Sequence, residues 1–377
     1  MTAADLRGAA IITAFFFALL VAAELWARLG HPKPEWTRKL VHLGGGLIGL
    51  ALPWLIESPW VVLALTASLS TLFVLGERWD FLRSLHKVER KTRGSEYYPL
   101  AIWLVFVLAA DRRWLYLSAV LTLAVADAFA ALIGSRYGKH RYEVEDEYKS
   151  AEGSLVFFVV AFLAASLPML LMTSLPRATC VLSALLVAML VTIFEAISLR
   201  GTDNLFVPIA VVFVLQKITT KTIEHIAWQN VALIGIVAVV MLIAWRVKWF
   251  NAGGALTFTL FVFAAWSLGP RFRWVIPVFI GFAVLVIVRL IVQRRGDRRR
   301  LKVTAVSRTV IVPFLFLLAA NTTTQFARFY LPYLAACAVV FVMIFATLIN
   351  TRFAEYRGWA AATFLLSLAA GLAVLAL

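Results

Sequence analysis

With 62% hydrophobic residues among 377 and a mean hydropathy of +0.89, this chain is far more apolar than a soluble domain, for which roughly 45–50% is usual. That excludes a water-soluble enzyme. The net charge of +16 is spread over many short loops, which excludes a dedicated nucleic-acid-binding domain. The two cysteines, Cys180 and Cys337, fall in apolar runs and offer neither a disulfide framework nor a zinc site.

In chain order, apolar runs near the ~20 residues that span a bilayer recur about fourteen times. They lie roughly at 9–27, 40–56, 59–76, 97–110, 114–134, 155–175, 178–198, 204–220, 229–245, 252–268, 274–292, 303–320, 329–349 and 358–377. None alternates like a membrane barrel strand. The expectation is an all-α polytopic membrane bundle of about fourteen helices, in a range of 12–15 because the runs at 40–56 and 97–110 are short. The first run, preceded only by Arg7, reads as an uncleaved anchor rather than a signal peptide. With the N-terminus outside and loops alternating, 25 Lys and Arg fall inside and nine outside, Arg289 and Arg308 lying within spans. The positive-inside rule then places loop 134–154 in the cytoplasm.

Ionisable groups within runs concentrate before residue 225, so residues 1–225 are expected to carry function and 226–377 to form a second membrane domain of unknown role. The basic string at 294–300 reads as a positive-inside loop. Lys39-x-x-His42-x-Gly44-Gly45-Gly46 and Lys248-x-x-Asn251-x-Gly253-Gly254 are alike, but one such match does not establish a repeat.

The polar positions begin with Arg38, Lys39 and His42 at the start of the second run. His42 is a candidate general base, since imidazole titrates near neutrality. Gly94-Ser95-Glu96-Tyr97-Tyr98-Pro99 opens the fourth run. Taken singly, both segments read as ordinary interfacial flanks. Asp127 sits about two turns inside its run, with Ala124, Ala131 and Gly134 on the same face. A carboxylate there costs roughly 2.5–3.5 kcal/mol on insertion scales, and it reads as a Mg²⁺ ligand or as a buried helix–helix hydrogen bond.

Gly134 and Gly138 end that helix and are followed by Lys139, His140 and Arg141. Glycines are common at helix ends, but their freed N–H groups also cradle phosphates. Lys149-Ser150-Ala151-Glu152-Gly153-Ser154 opens the next run. It combines a Ser N-cap with a dipole-favoured Glu, and it equally describes an anion site with Lys149 as counter-charge. Glu195 and Gly201-Thr202-Asp203-Asn204 emerge on the same side. Asp127, Glu195 and Asp203 thus converge as candidate Mg²⁺ ligands of a nucleotide site. Lys217, Lys221 and Arg308 receive no role.

Together these segments resemble the diacylglycerol/polyprenol kinase family of membrane enzymes, which includes dolichol kinases, phytol kinases and CTP-dependent diacylglycerol kinases. The resemblance covers about residues 35–220. It is carried by Arg38-Lys39-x-x-His42, Gly94-x-x-Tyr97-Tyr98-Pro99-Leu100, Asp127-x-x-Ala130-x-x-x-Gly134-x-x-x-Gly138-Lys139, Lys149-Ser150-x-Glu152-Gly153-Ser154, Glu195 and Asp203-Asn204-Leu205-x-x-Pro208. It implies phosphoryl transfer from a nucleoside triphosphate, CTP favoured over ATP, to a lipid alcohol at the cytoplasmic face, with Mg²⁺ as cofactor. The nucleotide would meet Gly134, Gly138, Lys139, Lys149, Ser150, Glu152 and Gly153. Asp127, Lys149 and His42 would be catalytic; Asp127, Glu195 and Asp203 would hold metal. Arg38, Lys39, Tyr97 and Asn204 would complete the site. The implied partners are the lipid alcohol, the nucleotide and the bilayer of a bacterial inner membrane, with no nucleic acid; the oligomeric state is open.

Two departures stand out. The segment between Gly138 and Lys149 is long and acidic, with Glu143, Glu145, Asp146 and Glu147 expected to alter nucleotide preference. The C-terminal half is faintly similar to phytyl-phosphate kinase-type membrane proteins at Gly253-Gly254-Ala255-Leu256, with no residue roles carried over. Two rival readings are a transporter or lipid flippase without chemistry, and a cytidylyltransferase forming a CDP-lipid. The latter lacks its Asp-rich Pro-Gly-His-Gly-Gly segment here.

Overall fold

A computed structural model describes residues 2–32, 34–78, 94–145, 147–270, 272–292, 300–349 and 358–376. The loop cations at 83–93, the basic residues at 294–299, Lys33, Arg271, Arg352 and Arg357, and the acidic Asp146 lie outside the described residues.

Each expected run is a helix. Among the described residues, ten helices are long and apolar enough to cross a membrane, from Ala3–Gly30 to Trp359–Ala376. Pro34–Leu50, Gly94–Ala109, Asp203–Ile218 and Ala252–Leu268 are shorter, at 16 or 17 residues. The chain is a multi-pass membrane protein built as an all-α bundle. Among the described residues the strands are those of a small hairpin, Arg141–Val144 and Glu147–Ser150. Its turn is made by Glu145 at φ 55°, the positive φ that tight hairpin turns require.

The chain forms two compact units: residues 1–141 with 149–228, and residues 142–148 with 229–377. In the first, half of the apolar stretch of Arg113–Tyr137 and 56% of that of Arg177–Ile197 are buried in protein, against 17% for Ala3–Gly30. Those two helices are therefore the centre of the unit. Small residues fill its core, with Ala119, Ala126, Ala130, Ala161, Ala165, Ala184 and Ala188 buried in one cluster. Close packing by small residues, with polar bridges, is how helices associate where lipid removes the hydrophobic drive. The bridges include the Tyr116 hydroxyl donating to the Gly49 carbonyl at 2.8 Å and Gln216 Nε2 to the Leu108 carbonyl at 2.7 Å.

The 113–137 helix is not uniform, because Thr122–Ala126 form a π-helical turn immediately before Asp127. A π turn widens the helix and frees a carbonyl from the regular ladder.

The second unit is packed around Trp249, Phe250, Phe258 and Phe282, with ring centroids 4.6 to 6.5 Å apart. Tyr333 donates to the Trp274 carbonyl at 2.6 Å and Asn321 Nδ2 to that of Leu268 at 2.8 Å.

Candidate active site

The site lies in the first unit, at the end where Pro34–Leu50, Gly94–Ala109, Ala151–Met172 and Asp203–Ile218 begin and Arg113–Tyr137 and Arg177–Ile197 finish. Its centre is Asp127. Lys39 Nζ donates to Asp127 Oδ2 at 2.7 Å, and His42 Nε2 stands 3.3 Å from the same oxygen. Their side chains are only 12% (Lys39), 13% (His42) and 21% (Asp127) exposed. The Lys39 ammonium and the His42 Nε2–H, one turn apart on Pro34–Leu50, thus offset the penalty of a carboxylate in an apolar helix.

The π turn orients the histidine. His42 Nε2 is 3.1 Å from the Leu123 carbonyl inside that turn. A carbonyl only accepts, so Nε2 carries the proton and the neutral ring keeps its lone pair on Nδ1. Tyr98 completes the mount: its hydroxyl donates to the His42 carbonyl at 3.0 Å and its ring lies 4.4 Å from the imidazole. Gly46 makes this approach possible, since a Cβ there would overlap the Ala124 Cβ and the Tyr98 hydroxyl. Gly46→Ala is expected to lower stability by about 1–3 kcal/mol through overpacking. A melting curve in nanodiscs unchanged from wild type would refute this packing role.

A second pair stands beside the first. Lys149 Nζ donates to Glu195 Oε1 at 2.7 Å and also to the Glu195 main-chain carbonyl, with side chains 15% and 14% exposed. The Asp203 N–H donates to Ser198 Oγ at 2.7 Å, whereas Asp203 Oδ1 is buried with no hydrogen-bond partner. Asn204 Nδ2 donates to the Gly94 carbonyl at 3.1 Å, tying two helix starts together.

The expected three-carboxylate metal set is not assembled as one coordination sphere. Among the described residues no three His, Cys, Asp or Glu side chains are grouped to hold an ion, because Asp127 and Glu195 each hold a lysine. Mg²⁺, however, usually takes one or two protein carboxylates and completes its shell with substrate phosphates and water. The unpartnered Oδ1 of Asp203 fits that lesser demand.

The glycines at 134 and 153 lie at a close helix approach. A Cβ on Gly134 would come 2.9 Å from Ser150 Oγ and 3.2 Å from the Gly153 Cα, so Gly134 and Gly153 let two helices touch. Their neighbourhood's N–H groups are committed, Gly138 N to the Gly134 carbonyl at 3.1 Å and Gly153 N to the N-capping Ser150 Oγ at 3.1 Å. Glu152 is likewise engaged, accepting from the His140 N–H at 3.1 Å with His140 Nδ1 at 2.7 Å. Lys139 is exposed, and Arg38 is half-buried one turn before His42. Tyr97 is half-buried, and the contact with His42 belongs to its neighbour Tyr98. Sequence reasoning gave no role to Tyr98, to Gly46 or to the π turn; the Tyr-Tyr pair and the glycine run after His42 were the visible signals.

The chain is 34% identical over 194 residues to a protein named phytol kinase from Synechocystis sp., a stretch that is 51% of this chain and 83% of that relative. No family model matches the chain. No solved structure matches it either. A single identity of that level across most of the relative, together with the Lys39–His42–Asp127 and Lys149–Glu195 clusters in the segments that carry the resemblance, assigns the chain to the phytol/polyprenol kinase-like family.

Proposed function

We propose that this protein is an integral-membrane kinase that transfers the γ-phosphoryl group of a nucleoside triphosphate to a lipid alcohol at the cytoplasmic face. The observation that carries the reading is the pair of partly buried cation–carboxylate clusters around Asp127 and Glu195 at one end of an apolar bundle. CTP as donor, the bacterial inner membrane and the isoprenoid or diacylglycerol class of the alcohol rest on the family resemblance.

Phosphoryl transfer depends on positioning and charge neutralisation more than on covalent chemistry. In this reading the lipid tail lies among helices and presents its hydroxyl at the interface. His42 Nδ1 takes the hydroxyl proton as the alcohol oxygen bonds to the γ-phosphorus. The bond to the β-phosphate bridging oxygen breaks, and the nucleoside diphosphate leaves with the electron pair. Asp127 holds the resulting imidazolium through Nε2. Lys149 and Lys39 offset negative charge on the transferring oxygens. Asp203 would hold Mg²⁺, which would neutralise donor phosphates.

The test is transfer of label from γ-labelled CTP or ATP, with Mg²⁺, into phytol, polyprenol or diacylglycerol by the protein in nanodiscs. Label in a lipid is the expected result and names donor and acceptor together. No label in any lipid overturns the reading, and release of pyrophosphate with a CDP-lipid would replace it by cytidylyl transfer.

A further inference from the structure

Residues 225–296 and 298–354 contain no Asp or Glu. The second unit nevertheless carries arginines at the end where Ala252–Leu268 and Val303–Thr323 finish and Ile276–Val292 and Phe326–Ile349 begin. Two of them, Arg273 and Arg328, line a cleft of about 550 Å³ with Pro270, Thr324, Gln325 and Phe326. Among the described residues neither arginine has an ion-pair partner. Arg273 instead lies over the Tyr330 ring, 4.6 Å from its centroid, and Arg328 Nη1 donates to Gln325 Oε1 at 3.4 Å. A guanidinium has five N–H donors, so both keep donors to offer.

The acceptors nearby are engaged. The Tyr330 hydroxyl donates to the Arg273 carbonyl at 3.2 Å and the Tyr333 hydroxyl to the Trp274 carbonyl at 2.6 Å. The Gln325 carbonyl accepts the N–H groups of Arg328 at 3.1 Å and Phe329 at 3.3 Å. What remains are donors. The N–H groups of Phe326 and Ala327 precede any intrahelical acceptor, in a 24-residue helix with no acidic residue in its first turn. Trp274 is fully buried, with its ring 6.1 Å from that of Phe326 and 5.2 Å from that of Tyr330. Its indole N–H has no hydrogen-bond partner among the described residues. A buried donor without an acceptor is costly. Guanidinium groups, a helix N-terminus and a buried indole N–H all call for one complement, an anionic group rich in oxygen acceptors.

We propose that this end of the second unit binds a phosphate group, held by Arg273, Arg328 and the first turn of Phe326–Ile349, with the Trp274 indole N–H as a further donor. Trp266, Phe272, Trp274 and Tyr330 gather at the same end. Tryptophan and tyrosine collect at the depth of lipid headgroups, so the source is an anionic phospholipid rather than free phosphate. The site shares no residue with the one around Asp127 and does not depend on phosphoryl transfer there.

The test uses the full-length protein in nanodiscs of phosphatidylcholine doped with phosphatidylglycerol, the lipids retained on the ejected protein being counted by native mass spectrometry. Wild type is expected to retain phosphatidylglycerol selectively. Arg273→Gln combined with Arg328→Gln is expected to weaken that retention about thirtyfold. Both arginines are exposed, so this variant should fold, and the spectrum reports the folded, lipid-bearing species directly. Trp274→Phe keeps a ring and drops the N–H, and should weaken retention about fivefold; unchanged retention removes the indole from the site. In pure phosphatidylcholine, inorganic phosphate probes the other source. A rise in melting temperature that the double variant lacks, without selective retention of phosphatidylglycerol, keeps the phosphate site and replaces the lipid by free phosphate. Equal retention of both lipids with no response to phosphate overturns the proposal, as does phosphatidylglycerol retention that the double variant keeps.

Discussion

Asp127→Asn is expected to lower phosphoryl transfer by roughly 10²–10³-fold, the scale on which a single preorganised electrostatic partner usually acts. Asparagine keeps the shape and one acceptor for Lys39, but not the charge that fixes Lys39 and His42 at 2.7 and 3.3 Å. Without it, an imidazolium formed at His42 has no counter-charge, and Lys39 stays partly buried beside a neutral amide. Turnover in nanodiscs, measured with melting temperature on the same sample, checks the expectation. A folded variant with near-normal kcat would remove the Asp127 carboxylate from the mechanism.

Lys149→Met carries the largest expected effect on stability. The pair with Glu195 has both side chains about 15% exposed or less, and removing one member of a buried pair leaves the other charge uncompensated, at a cost of about 3 kcal/mol. Adding Glu195→Gln should recover most of that loss, because no buried charge then remains. Activity separates structure from chemistry: if Lys149 neutralises the donor phosphates, the double variant melts near wild type and still fails to transfer. A double variant that regains both stability and turnover would make the lysine purely structural.

Why Asp127, His42 and Lys149 were legible in the sequence is simple: each is a polar group in or at the edge of an apolar run, where its presence is expensive. Their partners were not legible. Lys39 and Asp127 are 88 residues apart, and Lys149 and Glu195 are 46 apart. Tyr97 and Tyr98 could not be ranked, since adjacent residues on a helix face directions roughly 100° apart and only packing sets the phase. Thr122–Ala126 is an ordinary apolar string with no mark of a π turn. The glycines at 134 and 153 fit a phosphate cradle or a close helix crossing equally well on paper; the 3.2 Å approach that marks the crossing is visible only in three dimensions.

The sequence by itself determined the class of molecule, because hydrophobicity and helix length are local properties summed along the chain. Each apolar run became a helix, and the costly polar residues marked one end of the first unit. Tertiary structure alone decided which charges pair, that the helix before Asp127 opens into a π turn, and that Tyr98 rather than Tyr97 supports His42. Each of those depends on contacts between residues distant in the chain, and their energies come from geometry that no local pattern encodes.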